Sequence, residues 1–215
     1  MNKCGVVVLL SGGLDSVITA AYLQGKGYPV RAGFFVDRGQ SNLEQELLAT
    51  QKISQRLNIP LLRANFSLPD LKMLLSVGVR KKLGIPARNL ILGALALPYT
   101  HALSCGMLAL GNIASDDLPD CDKGFRMEFS GLISRILGGK IEVVAPLADW
   151  ENWDKADEIN WAQNNNLKDL FSFSWTCWLG GKFHCGNCGA CRGRIEGFKK
   201  AGIDDPVIYN GGKNG

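Results

Sequence analysis

The chain has no long apolar run. A membrane-spanning helix needs about 18 or more consecutive apolar residues. The nearest stretch, residues 90–107, is interrupted by Pro98, Thr100, His101 and Ser104. A secretory pattern is also missing. Met1-Asn2-Lys3 leads into apolar residues, but these end at Leu10, with no cleavage-site pattern after them. The expectation is a cytoplasmic protein with no membrane partner. Charge of one sign is scarce, with a net charge of +4 over 215 residues. The best basic cluster, Arg80-Lys81-Lys82, reads as a solvated loop, which speaks against a nucleic-acid partner. No repeat of solenoid spacing occurs. Two nucleotide motifs are absent as well: there is no G-x-x-x-x-G-K-[ST], and no G-x-G-x-x-G follows a strand.

What is present is an ordinary globular composition, 46% hydrophobic and 20% charged, at a length that suits one domain with a small appendage. Strand and helix patterns alternate. Residues 6–10 are continuously apolar and β-branched, as in a strand buried on both faces of a parallel sheet. A helix over about 16–25 follows, then a strand over 30–36. Ser41 and Glu44 form a capping-box pattern that opens a helix running to about Asn58. A strand over 60–66, a short helix and loop over 67–86, and a helix over 88–105 with Pro98 as its kink come next. Residues 107–110 and 141–145 read as further strands around a helix over 123–137. Asp154 caps another helix that carries Ala156, Ile159 and Ala162 on one face. A last helix spans about 194–201 with Gly202 as its stop, and the tail 210–215 reads as disordered. The fold class is α/β with a parallel sheet, and ligands are expected beyond the carboxyl ends of its strands.

Ser11-Gly12-Gly13-Leu14-Asp15-Ser16 lies between the first strand and the first helix. Glycines admit a close approach, successive N–H groups and the helix dipole favour an anion, and the two serines add hydroxyls. With Leu10 this segment is the expected ATP site. A tight turn with a capping Asp is the plainer alternative. Asp15 is out of place beside phosphates unless a metal ion or the helix N-terminus offsets its charge. The 11–16 loop resembles the signature of the PP-loop ATP pyrophosphatases, and that resemblance implies a nucleotide contact for Asp37 at the end of the second strand, with a loop leading into the next helix as the alternative.

Seven cysteines occur, and four read C-x7-C-x2-C-x2-C: Cys177, Cys185, Cys188 and Cys191. Four thiolates can close a tetrahedral Zn²⁺ site, and an iron–sulfur cluster competes for the same ligand set. The position and spacing favour structural zinc. Of the others, Cys4 and Cys105 are expected to pack as small apolar residues, and Cys121 to lie exposed in a polar loop.

These motifs together resemble the 7-cyano-7-deazaguanine synthase family of PP-loop ATP pyrophosphatases. The residues that carry the resemblance are the 11–16 loop, Ile85-Pro86-Ala87-Arg88-Asn89, Gly111 through Asp116 to Pro119-Asp120-Cys121, Trp175-Thr176-Cys177-Trp178, and Cys188 through Gly197-Phe198-Lys199-Lys200-Ala201-Gly202. The resemblance implies a PP-loop domain over 1–170 and a zinc-binding segment over 171–209. It implies an enzyme that uses ATP with Mg²⁺ to adenylate the carboxylate of 7-carboxy-7-deazaguanine, then forms the amide with ammonia and finally the nitrile. Asp15, Arg88 and Asp116 are the catalytic candidates, and Arg88, Asn89 and Asp120 the substrate-binding ones. A homodimer is the expected assembly. Two segments depart from the family pattern. Arg38-Gly39-Gln40-Ser41-Asn42 lacks its basic pair, and Asp117-Leu118 replaces its S-G-Y. These departures leave open transfer of the activated group to another amine, such as a protein N-terminus in a bacterial defence system. A tRNA-modifying PP-loop enzyme and a non-catalytic nucleotide-binding module are the remaining alternatives.

Overall fold

The computed structural model describes residues 3–66, 85 and 87–211. The expected helix and loop over 67–86 and the Arg80-Lys81-Lys82 cluster therefore lie almost wholly outside the described residues. Five strands, β1 (Val6–Leu9), β2 (Val30–Asp37), β3 (Leu61–Asn65), β4 (Met107–Ala109) and β5 (Glu142–Val144), form one parallel sheet in the order β3-β2-β1-β4-β5. Val6, Val8 and Leu10 face one core, Val7 and Leu9 the other, so β1 is buried on both sides as its unbroken apolar sequence requires. The first core is covered by α1 (Leu14–Gly25), α2 (Leu43–Leu57), the single turn α5 (Pro146–Asp149), α6 (Lys155–Asn164), α7 (Asp169–Phe173) and α8 (Gly189–Ala201). The second is covered by α3 (Arg88–Ala102) and α4 (Lys123–Leu137). Strand order reverses between β1 and β4, and the crevice outside their carboxyl ends is where such sheets bind ligands.

Several boundaries differ from the sequence expectation for identifiable reasons. α2 has no Ser41 cap. Its first residue is Leu43, and the Ser41 hydroxyl instead donates to the Trp178 carbonyl at 3.1 Å. α3 passes through Pro98 and ends at Ala102. α8 begins at Gly189, a turn and a half earlier than expected, because the Cys188 sulfur accepts the Cys191 N–H and caps it. Gly202, with φ +68°, ends α8, and Asp154 forms the full capping box with Asp157 at the start of α6. Asn210, the first residue of the expected tail, donates its N–H to His184 O at 2.8 Å. Cys105 is buried as expected, whereas Cys4 is exposed and Cys121 is buried.

Candidate active site and cysteine cluster

Residues 11–16 leave the carboxyl end of β1 and wrap into α1. Gly12 has φ +78°, and a Cβ there would lie 2.7 Å from the Glu46 carbonyl oxygen. Only glycine fits against α2 at this point. The Ser16 hydroxyl donates to Gly13 O at 2.9 Å and accepts from Ser11 N at 3.2 Å, which closes the loop on itself. From the β4 side, a Cβ on Gly111 would lie 2.6 Å from Ser16 Cα. The loop leaving β4 is thus packed directly on the first turn of α1. From the C-terminal side, Trp175 N donates to Gly12 O at 2.9 Å.

A cleft of about 1170 Å³ opens over this loop. Leu10, Ser11, Gly13, Leu14, Asp15 and Ser16 all line it. Arg88, Asn89 and Asp116 stand on its wall, while Asp37, Asp120 and Gly12 do not. Asp37 Oδ1 accepts from Gly39 N, and Oδ2 from Arg63 at 2.8 Å. Asp120 Oδ2 accepts Asn89 N at 2.8 Å and its carbonyl accepts Asn89 Nδ2, so it ties down the start of α3. Arg88 is exposed on the first turn of that helix. Asp116 accepts from Asn112 Nδ2 at 3.1 Å and Ile113 N at 3.2 Å. Desolvation raises its carboxyl above the usual range, and the Asp15 charge adds to the effect.

The charge of Asp15 is met by a residue the sequence reading missed. Lys155, the first residue of α6, lies on the cleft wall with its ammonium bonded to Asp15. Glu158, one turn further along α6 and fully buried, stands 3.3 Å from the same ammonium. One cation thus serves two carboxylates. Burial alone would raise the Asp15 carboxyl, but the attraction of Lys155 together with hydrogen bonds from Glu158 and Lys155 outweighs it and holds the group below its usual range. Glu158 moves the other way, well above the ordinary carboxylate range, through burial and the Asp15 charge. Burial would lower the Lys155 ammonium, yet Asp15 and Glu158 raise it above its ordinary value. The shared cation thus favours the ionised form of Asp15, while burial beside the Asp15 charge favours the protonated form of Glu158.

The sulfurs of Cys177, Cys185, Cys188 and Cys191 lie within 4.8 Å of one another. Main-chain N–H groups aim at three of them. Leu179 and Cys185 donate to Cys177, Asn187 and Cys188 to Cys185, and Cys191 to Cys188, at 3.3–3.4 Å. Such donors stabilise thiolates, so the four residues fit a Cys4 metal site. At Cys185, burial raises the thiol, and these N–H donors override it and bring it down to about 7. The cluster opens directly into α8, where Arg194 is fully buried. It donates to Asp205, Ser174, Thr176 and the Phe171 carbonyl, and so fixes the C-terminal segment to the main core.

Known proteins match this chain along nearly its whole length. A family model described as queuosine biosynthesis protein QueC matches residues 5–202. A protein of Chlorobium chlorochromatii named 7-cyano-7-deazaguanine synthase is 32% identical, covering 94% of this chain and 95% of its own. Its counterpart by name in Acetivibrio thermocellus is 33% identical, covering 94% and 96%. Among solved structures, the U34-tRNA thiolase NcsA of Methanococcus maripaludis, with its [4Fe-4S] cluster, superposes with a TM-score of 0.50. It has 17% identity and covers 94% of this chain and 68% of its own, a likeness of fold alone. Among the described residues no helix is long and apolar enough to cross a membrane.

Proposed function

The chain belongs to the QueC family of queuosine biosynthesis proteins, and on that premise we propose that it is an ATP-dependent ligase that adenylates the carboxylate of 7-carboxy-7-deazaguanine. The observation that carries this reading is the Asp15–Lys155 pair at the mouth of a phosphate-type loop, in a cleft large enough for ATP and a fused heterocycle together. A carboxylate attacking the α-phosphorus meets like charge, and fixed cations and N–H dipoles offset that repulsion. In this reading residues 11–16 hold the phosphates, Lys155 neutralises them, and Arg88, also on the cleft wall, orients the carboxylate. Asp15 and Asp116 are an oxygen donor set suited to Mg²⁺, which when bound would spread the phosphate charge. The Asp15 charge adds to the burial that raises the Asp116 carboxyl, and such a cation would offset that repulsion.

The carboxylate oxygen displaces pyrophosphate. Ammonia then attacks the acyl carbon, and AMP leaves with that oxygen, giving the amide. A second ATP activates the amide oxygen, and loss of AMP and the two amide protons gives 7-cyano-7-deazaguanine. The cysteine set holds structural zinc in this reading, pinning residues 171–209 onto the domain over 1–170. The assembly is a homodimer. On α4, Met127, Leu132 and Ile136 are 65%, 47% and 68% exposed, with Glu128 and Arg135 between them. Antiparallel pairing centred on Leu132 stacks it on its counterpart and sets Glu128 beside Arg135 of the second copy. The reaction is tested by incubating metal-replete protein with ATP, Mg²⁺ and 7-carboxy-7-deazaguanine, with and without ammonium, and weighing the products. Nitrile formed only with ammonium supports the full sequence. Amide or adenylate that goes no further moves the acceptor to another amine.

A further inference from the structure

Lys155 reaches Asp15 along a path that α8 defines. Gly197, buried on α8, faces the lysine stem: a Cβ built there would stand 2.2 Å from Lys155 Cγ, 3.0 Å from Lys155 Cβ and 3.2 Å from Ile159 Cδ1. The obstructed atom is Cγ, next to the backbone, so a small swing of the chain end does not relieve the contact. The whole side chain must take another rotamer, which carries the ammonium off Asp15. α8 cannot retreat instead. Its Arg194 makes five hydrogen bonds at 2.6–3.1 Å from a fully buried position, and Phe198 meets Phe171 edge-on at 5.1 Å. α6 is held in place as well, since its Ile159 and Ala162 are fully buried in the first core.

We propose that Gly197 is the positioning residue for Lys155: the missing side chain on α8 is the groove that directs the lysine onto Asp15 of the phosphate loop. This deepens the ligase reading above and rests on it for the effect on turnover, though not for the contact itself. Gly197 does no chemistry. It acts through Lys155, and removing Lys155 should therefore remove the effect of changing Gly197.

A double-mutant cycle tests this, with Gly197→Ala, Lys155→Ala and the double variant read in two ways: pyrophosphate release with 7-carboxy-7-deazaguanine, and thermal midpoint. Gly197→Ala alone is expected to lower kcat by about 10²-fold, the scale of a misplacement of about 1 Å, and to lower the midpoint. Added to Lys155→Ala, where no Cγ is left to strike, the same change is expected to cost nothing further in rate and little in midpoint. Equal losses in both backgrounds overturn the proposal, since Gly197 would then matter for packing or for ligand contact in its own right. If Gly197→Ala alone does not fold, the double variant decides. A folded double variant with the Lys155→Ala rate supports the coupling, and an unfolded one overturns it. If the wild type releases no pyrophosphate, the ligase reading fails, and the midpoints still decide the contact.

Discussion

Asp15 is a carboxylate where phosphates are expected, and it is tolerable there because Lys155 stands against it. Lys155→Met keeps the stem and removes the charge. It is expected to lower pyrophosphate release by about 10²-fold or more, as loss of a fixed electrostatic donor does, and to lower the thermal midpoint as well, because Asp15 and Glu158 lose the cation they share. Rates within threefold of wild type would remove Lys155 from the mechanism. Glu158 carries the cost of sharing that one cation. Its folded carboxyl stays protonated well above the usual range, whereas in the unfolded chain it ionises near about 4.3. Its contribution to stability is therefore full below that value and declines as pH rises toward the folded pKa. Glu158→Gln abolishes the decline. The variant is expected to match wild type below about pH 4 and to exceed it near neutrality in urea unfolding. A variant less stable at neutral pH would mean that Glu158 is ionised. None of this was legible in the sequence. Lys155 is 140 positions from Asp15, and it reads there as an ordinary residue of a first helical turn. The 11–16 loop and the cysteines were legible because their chemistry is contiguous or closely spaced.

At the scale of elements, local signals worked where local contacts decide. Asp154 caps α6 and Gly202 stops α8 as their patterns require. They failed where a distant partner or an unusual donor wins. The Ser41 hydroxyl is taken by Trp178, 137 residues away, and α8 is capped by a cysteine sulfur, outside the usual oxygen signatures. That sulfur cap joins the cysteine cluster to the helix that backs Lys155. Removing the metal is therefore expected to free the first turn of α8 and to lower the thermal midpoint. The released metal is expected to be one zinc ion per chain, from a colourless protein. A brown protein that loses iron and sulfide would assign an iron–sulfur cluster instead. An unchanged midpoint after complete removal would contradict a structural role.

Over the whole molecule, alternating strand and helix patterns were enough to foresee a parallel sheet. They did not give its order, which depends on which crossovers the two cores accept. The order matters, because the reversal between β1 and β4 places the phosphate loop and the Gly111 loop in one crevice. The exposed face of α4 belongs to this scale too. Glu128→Arg and Arg135→Glu are each expected to weaken a dimer in light scattering, and the double reversal to restore it, the pattern of a charge pair across a two-fold axis. A wild-type monomer at all concentrations, or a dimer indifferent to both reversals, would place the interface elsewhere or nowhere.

In the proposed reaction this cleft joins a carboxylate to the α-phosphorus of ATP. The most direct test uses 7-carboxy-7-deazaguanine labelled with ¹⁸O in the carboxylate, with ATP, Mg²⁺ and ammonium, and follows the label by mass spectrometry. Adenylation requires the AMP released in amide formation to carry one ¹⁸O and the pyrophosphate to carry none. Label in pyrophosphate or phosphate, or AMP released without label, would contradict it.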